Sequence, residues 1–98
     1  MGSEMCIRDR SCAAGERRRV ALPGWARRPS TAWLRAVVVG SGASVDVSAR
    51  RRRGGSVTVP VEGVRPGPIA VRLTGGVPGG GGARDYRLRR AEVSVRGC

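Results

Sequence analysis

The chain has 98 residues, which is enough for one small domain and leaves no room for a second. Its 19 Lys and Arg residues against 7 Asp and Glu give a formal net charge of +12, which favours anionic partners such as nucleic acid or an acidic membrane surface. Because the sequence contains no His, a Ser or Cys nucleophile assisted by imidazole cannot be built from it, and no enzymatic activity is predicted.

The first ten residues, MGSEMCIRDR, resemble the translation of an adapter used in transposase-based sequencing libraries. Reverse translation with a GTG start gives GTG GGC TCG GAG ATG TGT ATA AGA GAC AG, so the resemblance covers Met1 to Arg10. We therefore treat residues 1–10 as an artefact and exclude them from the fold prediction. Their removal takes away two Arg and two acidic residues, so the net charge stays at +12. On this interpretation the natural N-terminus is missing.

Residue usage indicates GC-rich source DNA, as in a high-GC bacterium. Every basic residue is Arg, and Lys, Asn, Gln, His and Phe are absent. The missing His and Gln are not explained by GC content, so one hypothesis is a spurious open reading frame with no function. The strand signals after Leu34 favour the other hypothesis, that Leu34 to Gly97 is a genuine C-terminal fragment. The source contig, read in all six frames, separates the two.

The lead-in, residues 11–31, is predicted to be irregular or disordered. It contains the triplet Arg17 to Arg19, two prolines and no sustained apolar period. We expect this segment to pack poorly, with Trp25 as its one candidate core residue.

Residues 32–98 are predicted to form a β-sandwich-like fragment. Val dominates the apolar residues here, and short runs with period two lie between Gly and Pro residues, as is typical of strands. Because Pro60 cannot donate to a ladder, its strand should lie at an edge or have its amide side unpaired there. The first three predicted strands are Leu34 to Val39, Ser44 to Arg50 and Ser56 to Val61.

A hairpin is predicted from Ser56 to Thr74. Pro66 followed by Gly67 fits the central positions of a type II turn, and Ile69 to Thr74 alternates as a fourth strand. The buried face of this hairpin should carry Val57, Val59, Val61, Ile69, Val71 and Leu73.

The remaining C-terminal segment is predicted to be a mobile glycine loop followed by a last strand. Gly75 to Gly82 contains six glycines, which lose the most backbone freedom on ordering. In the strand Tyr86 to Val95 the apolar residues change face, so we expect a bulge or break near Arg90. No helix is predicted beyond a weak turn at Thr31 to Arg35. The predicted fold is therefore all-β, an incomplete antiparallel sandwich of four to five strands with a disordered N-terminal lead-in.

The segments SVTVPVEGVRPGPIAVRLTGG and YRLRRAEVSVRG resemble the C-terminal half of a discoidin or galactose-binding-like β-sandwich. The resemblance covers Ser56 to Gly97. Such domains bind sugars or anionic lipid head groups through loops at one end, so the resemblance implies carbohydrate or an anionic surface as the partner. The aromatic loop residues usual in that family are missing here, and an immunoglobulin-like sandwich fits the same pattern.

Two motifs are candidate binding sites. Arg50, Arg51, Arg52 and Arg53 form a basic cluster suited to gripping phosphates through charge-assisted hydrogen bonds, with a solvated loop as the alternative. Only 3% of the residues are aromatic, so the stacking platforms usual in single-strand binders are nearly absent. The run VVVGSGASV resembles the start of a dinucleotide-binding fingerprint at Gly40 and Gly42, but a strand pattern follows where a helix is needed, and no cofactor is predicted.

Outside residues 1–10 the only cysteines are Cys12 and Cys98. Two cysteines make neither a disulfide framework nor a zinc site, so no metal is predicted. Free thiols are favoured, and a bridge in an oxidising compartment is the alternative. The longest strictly apolar run, Ala36 to Val39, is far shorter than a transmembrane segment.

These observations predict a non-catalytic accessory or ligand-binding β module of a larger exported bacterial protein, located outside the cell or at its surface. An Arg-rich fragment that binds nucleic acid nonspecifically is the first alternative. A frame that is never translated is the second.

Overall fold

A computed structural model describes residues 11–81 and 85–98 of the chain. Within them, six strands form two antiparallel sheets, so the all-β prediction is confirmed. The adapter interpretation of Met1 to Arg10 lies outside the described residues. The strands are β1 (Arg17–Ala21), β2 (Trp33–Val38), β3 (Ser44–Asp46), β4 (Ser56–Pro60), β5 (Pro68–Pro78) and β6 (Tyr86–Arg96), and the helices are α1 (Gly24–Arg27) and α2 (Ala49–Arg52).

The larger sheet has four strands in the order β3-β2-β5-β6. Directly opposed residues of antiparallel strands point to the same face, and Ala36, Leu73 and Ala91 lie opposite one another across β2, β5 and β6. The odd-numbered positions of β5 therefore define an inner face, and its even-numbered positions define the outer face.

The smaller sheet pairs β1 with β4 and places Val20 opposite Val57. Its apolar side chains join those of the larger sheet's inner face in a single core, which gives the two-layered arrangement. Since β4 has a neighbour on one side only, the predicted edge position of Pro60 is confirmed. The buried strand residues of this core are Val20, Leu34, Ala36, Val38, Val57, Val59, Val71 and Leu73.

The predicted hairpin from Ser56 to Thr74 is wrong in its pairing, although both of its strands exist. β4 pairs with β1, whereas β5 pairs with β2 and β6. The connection between them buries Val61 and Val64, so the chain crosses from one sheet to the other instead of turning back. The predicted apolar residues all contact the core, with Ile69 only partly buried, because the two runs face each other across it.

The predicted disorder of residues 11–31 is also wrong, because this segment supplies β1. Val20 and Ala26 are fully buried, and the backbone N–H of Val61 donates to the carbonyl of Glu16 at 3.0 Å, which extends the pairing with β4. Trp25, the expected core candidate, is partly buried against the core. The lead-in is therefore half of the smaller sheet.

The predicted glycine loop begins later than expected, because β5 continues through Gly75 and Gly76 to Pro78. A Cβ atom on Gly75 would lie 2.9 Å from Trp25 Cζ3, and one on Gly76 would collide with the indole of Trp33. Adjacent strand residues point to opposite faces, so one tryptophan covers each face of the sheet at these glycines. The glycines thus make room for the indoles.

No bulge occurs near Arg90, contrary to the prediction. The register of β5 and β6 runs unbroken from Pro68 opposite Arg96 to Pro78 opposite Tyr86. The apolar residues change face because the inner face of β6 packs on the core only at Ala91, Val93 and Val95, whereas Tyr86 and Leu88 lie on the outer face.

A disulfide joins Cys12 to Cys98, so the free thiols favoured above are not found. The N–H of Cys12 donates to the Val64 carbonyl at 2.8 Å, and the N–H of Gly97 donates to the Gly67 carbonyl at 2.7 Å. Because both ends of the described chain are anchored to the segment between β4 and β5, the two sulfurs meet across a sequence separation of 86. The bridge ties the two sheets together at this end.

Candidate anion-binding surface

The Arg50 to Arg53 cluster forms a short helix and its C-terminal cap. The second predicted strand ends at Asp46, earlier than expected, and α2 contains Arg50, Arg51 and Arg52. Arg is a favourable helix former, and Ser48 precedes the helix with an extended backbone. The four side chains consequently point in different directions around one turn instead of along a strand.

Arg52 points into the protein and is only 2% exposed. Its Nη1 donates to the carbonyl of Val47 at 3.1 Å, and its Nη2 donates to the carbonyl of Thr31. Burial lowers the pKa of the Arg52 guanidinium, because desolvation disfavours the charged form. Arg52 is therefore not exposed to an external anion as predicted, because it is buried and its Nη1 and Nη2 each donate to a backbone carbonyl inside the fold.

Thr31 connects the two helices. Its hydroxyl donates to the carbonyl of Trp25 at 2.6 Å, and its own carbonyl accepts from Arg52. Nearby, the N–H of Leu22 donates to the Gly55 carbonyl at 2.9 Å. These contacts hold α1 beside α2.

The exposed arginines of the two helices and their caps form a surface that we call the arginine end. Arg27 lies against Gly55 at the end of the α2 segment, with its Cδ 3.4 Å from the position that a Cβ there would take. Segments 22–31 and 48–55 contain no Asp or Glu, and the three ion pairs of the described residues lie elsewhere. The arginine end consists of Arg27, Arg28, Arg50, Arg51 and Arg53.

The side chains of the arginine end offer positive charge and hydrogen-bond donors. Within residues 11–81 and 85–98 there is no group of three or more His, Cys, Asp or Glu that could hold a metal ion.

Gly40 and Gly42 adopt positive φ in the turn between β2 and β3, and the strand predicted to follow them is present. Across the same residues, no helix is long and apolar enough to cross a membrane.

A second surface was missed by sequence reasoning, namely the aromatic patch of Trp33, Tyr86 and Leu88. Their exposures are 46%, 50% and 55%. Trp33 lies opposite Gly76, Gly76 opposite Leu88, and Pro78 opposite Tyr86, which places all three side chains on the outer face. Aromatic residues are few in this chain, but the pairing of β2 and β6 with β5 places Trp33 and Tyr86 on one face of the sheet.

Comparison with known proteins finds no matching family model, no similar curated protein and no similar solved structure. The resemblance of Ser56 to Gly97 to discoidin-like domains stays a prediction. What the molecule binds is therefore inferred from its two exposed surfaces.

Proposed function

We propose that the chain is a non-catalytic ligand-binding β module of a larger exported protein, and that its arginine end binds an anionic polymer through charge. The observation that carries this proposal is the grouping of five exposed arginines on two adjacent helices and their caps, in segments without an acidic residue. Guanidinium groups donate two parallel hydrogen bonds to phosphate, sulfate or carboxylate groups, which suits them to this ligand class.

The disulfide supports export. Bonds of this kind form and persist in oxidising compartments and are rare in the cytosol, where thiols are kept reduced. A chain with so small a core also gains from such a covalent link. The Cys12–Cys98 bond therefore agrees with a location outside the cell or at its surface.

Replacing Arg50, Arg51 and Arg53 with Ser should flatten the salt dependence of binding. Each phosphate contact on duplex DNA contributes about 0.9 to the slope of log K against log salt, so the triple variant should lose about 2.7 from that slope. Fluorescence anisotropy with labelled duplex DNA, measured over a salt series, gives the slope directly. Arg52 stays in place because it holds α2 in the fold.

The matched control replaces Arg17, Arg19 and Arg65, which are exposed and lie outside both helices. This variant loses the same charge as the first. If binding is local to the arginine end, it should lower the slope of log K against log salt by less than the first variant does. Dextran sulfate should compete with the duplex, because charge rather than base sequence is recognised. Equal slopes for the two variants would assign binding to net charge alone, and no binding at low salt would refute the proposed function.

A further inference from the structure

The aromatic patch on the outer face of the larger sheet contains two exposed aromatic rings, those of Trp33 and Tyr86. The indole of Trp33 lies against the backbone of Gly76, where any side chain would collide with it, and 46% of the residue is exposed. Leu88 of β6 lies opposite Gly76, and Tyr86 is two residues from Leu88 on the same strand. Tyr86 is therefore a diagonal neighbour of Gly76, a position about 7–8 Å away in antiparallel sheets. The indole of Trp33 thus lies over Gly76, and Tyr86 lies one diagonal step from Gly76 on the same face of the sheet.

Positive charge continues along the same face. Arg90 follows Leu88 at the next outward position of β6 and lies opposite Thr74 of β5. A groove of about 470 Å³ runs beside it, lined by Arg72, Thr74, Arg90 and Glu92 among others. Arg72 is ion-paired with Glu92 at 3.4 Å, and both side chains are exposed, so the pair is a weak one.

We propose that this outer face binds single-stranded nucleic acid, with bases stacked on Trp33 and Tyr86 and with Arg90 and Arg72 contacting the phosphates. Aromatic rings beside a positively charged groove are the combination by which single strands are held without sequence preference. A duplex keeps its bases stacked inside, so it can use the arginines but not the rings. The site uses side chains other than those of the arginine end, although Trp33 shares a groove with Ser48 and Ala49 at the start of α2, and it does not depend on the function proposed for that end.

The experiment compares binding of a labelled single-stranded oligothymidine and a duplex of equal length to the full chain with its disulfide intact. Trp33→Ala and Tyr86→Ala should each weaken single-strand binding about tenfold, because each removes one stacked base. Duplex binding by both variants should stay unchanged. Trp33→Phe keeps a ring and should restore most of the affinity, provided that circular dichroism shows the same fold.

The arginine-end variant separates this site from the other. Replacing Arg50, Arg51 and Arg53 with Ser should weaken duplex binding, and in that background Trp33→Ala should still weaken single-strand binding about tenfold. Equal losses for both nucleic acids on removal of Trp33 would overturn the stacking site. So would binding of an uncharged oligosaccharide that competes with the single strand and is lost in Trp33→Ala, since the patch would then be a sugar platform.

Discussion

Reducing the Cys12–Cys98 disulfide should lower the free energy of unfolding by about 4 kcal/mol. The bond closes a loop with a sequence separation of 86, and the entropy that a cross-link removes from the unfolded chain grows with loop length. A small domain has only about 5–15 kcal/mol in total, so the reduced chain should lose a large part of its stability. Urea unfolding followed by circular dichroism, with and without reductant, measures the difference.

The control for this prediction removes the thiols by mutation. In a Cys6→Ser background, which prevents disulfide exchange, Cys12→Ser combined with Cys98→Ser should match the reduced protein and should not respond to reductant. If the oxidised protein and the double variant unfold at the same urea concentration, the bridge contributes nothing, and the account of how the two sheets are joined is wrong.

Replacing Arg52 with Ala should destabilise the fold by about 3 kcal/mol. The substitution leaves the carbonyls of Val47 and Thr31 without their donors in a buried site, and each unsatisfied group costs about 1–3 kcal/mol. It also opens a cavity, which adds to the loss. Thermal unfolding of the oxidised protein should show a lowered midpoint.

Arg51 provides the matched control on the same helix. Its side chain is exposed, so Arg51→Ala should change the free energy of unfolding by no more than about 0.5 kcal/mol. Equal effects of the two substitutions would show that Arg52 is a surface residue like its neighbours, and that four arginines rather than three are open to ligand on α2 and its cap.

Strands could be predicted from the sequence where burial alternates along one segment. Val57, Val59 and Val61 are buried as the period-two pattern of their run indicates. The partner of that strand, β1, could not be recognised from the sequence, because β1 has Arg18 at an inward position where an apolar residue is expected. Arg18 is tolerated there because its Nε donates to the carbonyl of Arg96 across the sandwich at 3.1 Å. Pairing depends on such distant contacts.

The candidate sites show the same limit. The sequence reveals the basic run, but the burial of Arg52 depends on carbonyls of Thr31 and Val47, which only the folded chain brings to it. Likewise Trp33 and Tyr86 are far apart in sequence, and only the register of β2, β5 and β6 places them on one face. The composition shows how few aromatic residues the chain has, but it does not show which of them lie on the same face of a sheet.

Nuclear magnetic resonance of the oxidised chain, titrated with duplex DNA at low salt, locates the bound polymer residue by residue. The largest shifts of backbone amide and arginine Nε–H signals should fall on segments 22–31 and 48–55, which carry the arginine end. The Arg52 side chain should shift least among the arginines of α2, because it is buried. Shifts spread evenly over the exposed arginines of both sheets, with none concentrated on the two helices, would contradict a binding surface at this end.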